Sequence, residues 1–309
     1  MICISAILPI FIIMAVGYYA GASRTITRDA VLAVNRSVFK TLLPFLLFYN
    51  IYNSDFVDFK NNIGFILFGV IGILFLFLIS VLYVYRTEEL PEKRGPLIQG
   101  MFRSSYAIIG FPLVKSLLGT EDIGLSALLL AFIAPELNVL SAIILELNRG
   151  RKVALKKLLI SVFTNPIVAS TLLALLIRVL NIRIPNILNS IFGQIGNAAS
   201  VLLMFLLGAF FEFKGLAKYK KEILNSVAVK LVIFPGVMLA IAALLGFKGE
   251  QFAALIPLFG SATSVNTFTM SQALDADGEL AGDIVVVTSA LSPLSLFVLA
   301  YISKTLMLF

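Results

Sequence analysis

Apolar positions in this chain come in long blocks in which charged residues are rare. Blocks of the roughly 20 mainly apolar residues that a helix needs to cross a hydrocarbon layer recur at 2–21, 30–52, 62–85, 97–118, 122–147, 158–180, 187–211, 223–246, 251–274 and 281–307. The polar joints between them are short, which predicts an all-α polytopic membrane protein of ten transmembrane helices with no room for a separate soluble domain. Two blocks are interrupted. The fourth reads Ser104-Ser105-Tyr106-Ala107-Ile108-Ile109-Gly110-Phe111-Pro112, and the ninth reads Gly260-Ser261-Ala262-Thr263-Ser264-Val265-Asn266-Thr267. Pro112 has no N–H and disfavours a helical residue before it, and Gly110 loosens the backbone. Hydroxyls bonding back to their own helix, with Pro112 as a packing kink, would account for one such block; two at corresponding places point to broken helices. Non-helical backbone at this depth requires protein cover or an aqueous cavity. The half-helix N-termini would then present partial positive charge at the midplane, a ready site for an anion. Pro44 and Asn165-Pro166 are read as structural kinks.

The corresponding places are defined by an internal repeat. Arg103–Pro135 aligns with Gly260–Pro293, setting Ser104-Ser105 on Ser261-Ala262, Phe111 on Phe268 and Leu117 on Leu274, with one extra residue before Pro293. The copies lie five helices apart, so they cross the membrane in opposite directions. Inverted repeats are a device of secondary transporters. The chain thus divides into a first repeat at 1–147, a linker at 148–157 and a second repeat at 158–309.

Composition agrees: 60% of the 309 residues are hydrophobic and 13% are charged, against about 25% charged in soluble domains. The absence of His and the single Cys exclude an intrachain disulfide, Ser–His hydrolysis and His-ligated zinc or haem. No phosphate-binding G-x-x-x-x-G-K-[ST] motif occurs, so energy is expected from an ion gradient, H⁺ or Na⁺, with no bound cofactor. The net charge of +7 is read as topology, not as nucleic-acid binding. Arg24 and Arg28 follow the first block, Arg86, Lys93 and Arg94 the third, Arg149 to Lys157 the fifth, and Lys214 to Lys221 the seventh. The other side holds Lys60, Arg178, Arg183, Lys248 and Lys304. By the positive-inside rule both termini lie outside the cell membrane. The first block lacks a basic lead and a small-residue cleavage pattern, and is expected to be a retained span.

A few charges fall within blocks. Arg36 and Arg103 sit close enough to an end to snorkel, and Lys230 lies about two turns in. Glu136, in Ala134-Pro135-Glu136-Leu137-Asn138, is too short to reach the interface. Such a residue either carries a coupling proton or pairs with a buried lysine, Lys230 or Lys115. Gly17 and Gly21 form one G-x-x-x-G match, a helix-association pattern.

The ordered set Leu8-Pro9-Ile10-Phe11 with Gly17-Tyr18, Leu43-Pro44-Phe45-Leu46-Leu47-Phe48, Gly110-Phe111-Pro112-Leu113, Asn165-Pro166, Leu231-Val232-Ile233-Phe234-Pro235 and Ser264-Val265-Asn266 resembles the auxin efflux carrier family of membrane transport proteins. The resemblance implies two inverted five-helix repeats with crossing broken helices four and nine. It further implies a scaffold of helices 1, 2, 6 and 7, often the contact of a homodimer, and an elevator-type transport domain of helices 3–5 and 8–10. Two departures stand out: Ser105 where the family often has Asn, and Ala262 where it usually has Pro, which softens the second expected break.

The expected function is secondary transport of a small organic anion, a carboxylate such as malate, malonate or an auxin-like acid. Ser104, Ser105, Gly110, Pro112, Ala262, Thr263, Ser264 and Asn266 from the two breaks, with Asn50 and Asn138, would form the substrate site, and Glu136 with Lys230 the coupling group. The alternatives are a sodium-coupled symporter of the bile-acid type, an intramembrane enzyme, for which no paired-Asp centre is evident, and a membrane receptor or sensor.

Overall fold

The computed structural model describes residues 2–53, 62–119, 124–149, 160 and 163–309. Most of the 148–157 linker and the 120–123 turn therefore lie outside the described residues. All the described regular structure is helical: α1 (Ile2–Ala22), α2 (Arg28–Lys40), α3 (Leu42–Tyr52), α4 (Ile63–Thr87), α5 (Pro91–Phe102), α6 (Phe111–Leu118), α7 (Gly124–Leu147), α8 (Pro166–Val179), α9 (Asn186–Phe210), α10 (Phe213–Lys218), α11 (Lys220–Ala228), α12 (Phe234–Leu244), α13 (Gly249–Gly260), α14 (Asn266–Ala273) and α15 (Gly278–Thr305). Wider π-helical turns at Tyr106–Gly110 and Val229–Ile233 lead into α6 and α12. Among the described residues, α4, α7, α9, the continuous run Lys220–Leu244 and α15 are each long and apolar enough to cross a membrane; α2 and α3 make a sixth span if their 40° bend is one interruption.

Local sequence accounts for the ends and bends. The Thr27 side chain accepts from the Ala30 N–H and Asp29 occupies the first turn of α2, satisfying otherwise unpaired N–H groups and the positive helix end. Pro44 lies in the first turn of α3, where a missing N–H costs nothing. At Asn165-Pro166 the Asn165 side chain accepts from Ile167 N and starts α8.

Helices α1, α3, α8 and α9 pack against one another, and a second group joins α4, α5 and α7 to α12, α13 and α15. Two large apolar clusters fill the interior, the one around Leu43 and Leu207 also taking in Ala142 of α7, Phe268 of α14 and Val285 of α15. One is centred on residues such as Ile73, Leu129, Leu255 and Phe259, the other on Val31, Leu43, Ile167 and Leu207. The outer face of α4, with Leu67, Ile71, Phe75, Leu78 and Leu82, is exposed, as a lipid-facing surface is.

The G-x-x-x-G pair works inside the chain. A Cβ at Gly17 would run into the Phe205 carbonyl oxygen, one at Gly21 into that of Ala209, and one at Gly208 into that of Met14. Small residues let α1 and α9 touch backbone to backbone, so this face is covered and cannot join two copies. At one end of the bundle Asp275 bridges Arg149 at 3.0 Å and Arg36 at 3.6 Å, while Lys93 bonds Glu222 at 2.9 Å and Lys218 bonds Glu279 at 3.0 Å. The hydrogen bond to Glu222 holds the Lys93 ammonium above its ordinary pKa. Basic joints from several blocks thus gather with the 275–279 turn.

Candidate functional site

Both interrupted blocks are broken, and the breaks touch. The first helix stops at Phe102. Arg103 is extended, at φ −77° and ψ 130°, and Arg103–Ser105 are non-helical before the π-helical turn begins at Tyr106. The second stops at Gly260, with Ser261 at φ −72° and ψ 160°, and restarts at Asn266. Ala262 in place of Pro therefore does not prevent the break. The backbone conformation here is fixed by hydrogen bonds across the crossing. Ser105 N–H donates to the Ala262 carbonyl at 2.8 Å, and the Thr263 hydroxyl donates to the Gly100 carbonyl at 2.8 Å. Thr263 N–H donates to the Thr288 hydroxyl at 3.2 Å. These partners replace the intrahelical bonds given up at the breaks, which buried peptide groups need.

A cavity of about 120 Å³ opens beside the crossing. Its walls come from Asn50 on α3, Arg103, Ser104, Ser105 and Tyr106 at the first break, Asn138 on α7, Ser200 and Met204 on α9, and Ser264 and Asn266 at the second break. Six of the expected residues, Asn50, Ser104, Ser105, Asn138, Ser264 and Asn266, are brought together there. Four are not among its lining residues. Gly110 lies behind it, where a Cβ would press on the Tyr106 ring and Pro257. Pro112 is in the first turn of α6, and its side chain lies outside the described residues. Ala262 and Thr263 are buried, one presenting its carbonyl and the other spending its hydroxyl on Gly100. Thr263→Val is expected to destabilise the protein by about 1–3 kcal/mol, because the Gly100 carbonyl loses its partner, while leaving ligand affinity unchanged. Thermal unfolding and binding titration of the same sample check both halves.

The side chain that the sequence reading placed at the interface is central instead. Arg103 does not snorkel: it is 2% exposed and lines the cavity. Its guanidinium donates to Asn138 Oδ1 at 2.7 Å, Gln99 Oε1 at 3.3 Å and Met270 Sδ at 2.9 Å. All three acceptors are neutral, and among the described residues no carboxylate forms an ion pair with it. Asn138 is oriented in turn by donating to the Thr171 hydroxyl at 3.2 Å. The Ser104 hydroxyl, also buried, has no hydrogen-bond partner among the described residues. A fixed positive charge, a spare hydroxyl and the amides of Asn50, Asn138 and Asn266 therefore converge on a small, partly open cavity. An anion with hydrogen-bonding oxygens complements that set.

Glu136 lies on α7 two residues after the cavity-lining Ala134 but is not itself among the lining residues. Among the described residues its buried Oε2 has no hydrogen bond, and it makes no ion pair with Lys230. Lys230, 1% exposed, instead donates to the Phe259 carbonyl at 3.4 Å.

The family model described as membrane transport protein matches residues 2–300. The uncharacterized transporter YfdV of Escherichia coli K12 is 23% identical over 266 residues, covering 82% of each chain. The same transporter of Shigella flexneri matches to the same extent. Bilayer-length apolar helices, two broken helices crossing at a buried polar cavity and this match along nearly the whole chain make the protein a transporter and not an enzyme: it belongs to the membrane transport protein family, that of the auxin efflux carriers.

Proposed function

We propose that the protein is a secondary transporter of a small organic carboxylate, bound at the crossing of the two broken helices. The observation that carries this reading is Arg103, a buried guanidinium with only neutral partners in the wall of the cavity. An isolated buried charge is costly, and a carboxylate entering the cavity supplies the missing counter-charge. The planar guanidinium suits a carboxylate in two-point contact. Ser104, Asn50, Ser264 and Asn266 would fix the rest of the ligand. A cavity of about 120 Å³ fits a compact acid such as malonate or malate more readily than an indole acid.

The division of packing supports the inverted-repeat plan of ten spans, with α1–α3, α8 and α9 as scaffold and α4–α7 and α11–α15 as the moving body. Residues from both groups line the cavity, so sliding one past the other would carry the ligand across the bilayer in elevator fashion. The gathering of basic joints at one end supports a cytoplasmic face there and outside termini in the cell membrane. A homodimer would have to use surface other than the Gly17–Gly21 face.

Counterflow in proteoliposomes tests the reading: preloaded malate or malonate should drive uptake of the labelled acid. No exchange of any carboxylate, under a proton or a sodium gradient, would count against transport of this class and favour a sensor. Glu136 is the proposed proton carrier. Glu136→Gln should flatten the pH dependence of uptake while binding persists; an unchanged pH profile would remove it from the coupling.

A further inference from the structure

Lys230 is among the largest fully buried side chains in the protein, and the cavity does not use it. It sits on the π-helical turn Val229–Ile233, which packs on α5, α11, α12, α13 and α15. The carboxylates on those helices are Glu92, Glu222, Glu250, Glu279 and Asp283. None forms an ion pair with it among the described residues; Glu222 is taken by Lys93 and Glu279 by Lys218. Among the described residues the ammonium donates to the Phe259 carbonyl at 3.4 Å, one residue before α13 ends at Gly260.

That is the carbonyl end of a helix stopping inside the protein. Its last carbonyls lack intrahelical partners, and the helix dipole concentrates partial negative charge there. Such an end within a bilayer commonly holds a cation; where half-helix carbonyls are free, sodium takes the place.

We propose that the Lys230 ammonium is a tethered cation that neutralises the carbonyl end of α13, in the position a sodium ion would otherwise fill. The inference rests on the crossing being the transport site, and it assigns the cation requirement of that site to the chain itself.

It can be tested without a substrate. Full-length protein in nanodiscs is unfolded thermally in sodium chloride and in choline chloride. The wild type should melt at the same temperature in both. Lys230→Ser removes the charge and opens space, so it should melt lower in choline and gain about 2–4 °C, saturably, from sodium or from methylammonium. A saturable sodium gain in the wild type, or a folded Lys230→Ser indifferent to both cations, overturns the proposal. If the variant does not fold, the wild-type comparison alone decides it. Failure of every carboxylate to exchange would sink the functional reading and leave this measurement standing.

Discussion

Arg103→Gln should bind its carboxylate about a hundredfold more weakly than the wild type and lose counterflow, yet melt at a higher temperature when empty. The two effects share a cause. Without ligand Arg103 is 2% exposed and, among the described residues, its guanidinium bonds Gln99, Asn138 and Met270, so its removal relieves a charge buried without a counter-ion. With ligand bound, the same substitution leaves the carboxylate unpaired, which costs about 2–5 kcal/mol. Arg103→Lys is the informative companion. It keeps the charge but cannot span Asn138 and Gln99 with one planar fork, and should fall between the two. Isothermal titration and thermal unfolding read the pair together. A glutamine variant with wild-type affinity would remove Arg103 from ligand recognition.

Gly208→Ala is expected to cost about 3 kcal/mol or more, and Gly208→Leu to abolish folded, monodisperse protein. The added Cβ meets the Met14 carbonyl oxygen, a backbone atom that no rotamer change can move aside. Relief requires α1 and α9 to separate, which also breaks the contacts at Gly17 and Gly21. Gly236→Ala is the control, because its Cβ would point into open space; there an alanine in α12 should stabilise by about 1 kcal/mol. Size-exclusion profiles of the variants separate the outcomes, and a well-folded Gly208→Leu would contradict the backbone-to-backbone packing.

The parts of the site that could be read from the chain alone were those where polarity is out of place. Ser104, Ser105, Ser264 and Asn266 interrupt apolar blocks, and their energetic cost in a bilayer forced a break and a cavity. Arg103 was misplaced because distance from a block end ignores where the helix stops: once α5 ends at Phe102, the side chain turns inward. Ser200 and Met204 gave no signal, being ordinary residues of a long apolar helix whose facing neighbour is set only by tertiary packing. Thr263 looked like a ligand donor because side-chain chemistry alone does not reveal that a backbone carbonyl, Gly100, already claims its hydroxyl. The Gly17–Gly21 pair announced close helix contact but not its partner, since the same small-residue stripe serves an intrachain or an interchain neighbour.

The bond between Ser105 N–H and the Ala262 carbonyl involves no side-chain atom. Any residue except proline at 105, and any residue at all at 262, can make it. The crossing therefore survives replacement of the family's usual Asn and Pro at these two places, as it does here. Architecture and ligand chemistry are in this respect separable: mutation can re-tune the cavity walls during divergence while the junction that creates the cavity persists. A lineage built this way can change what it carries without first having to reinvent how it is folded.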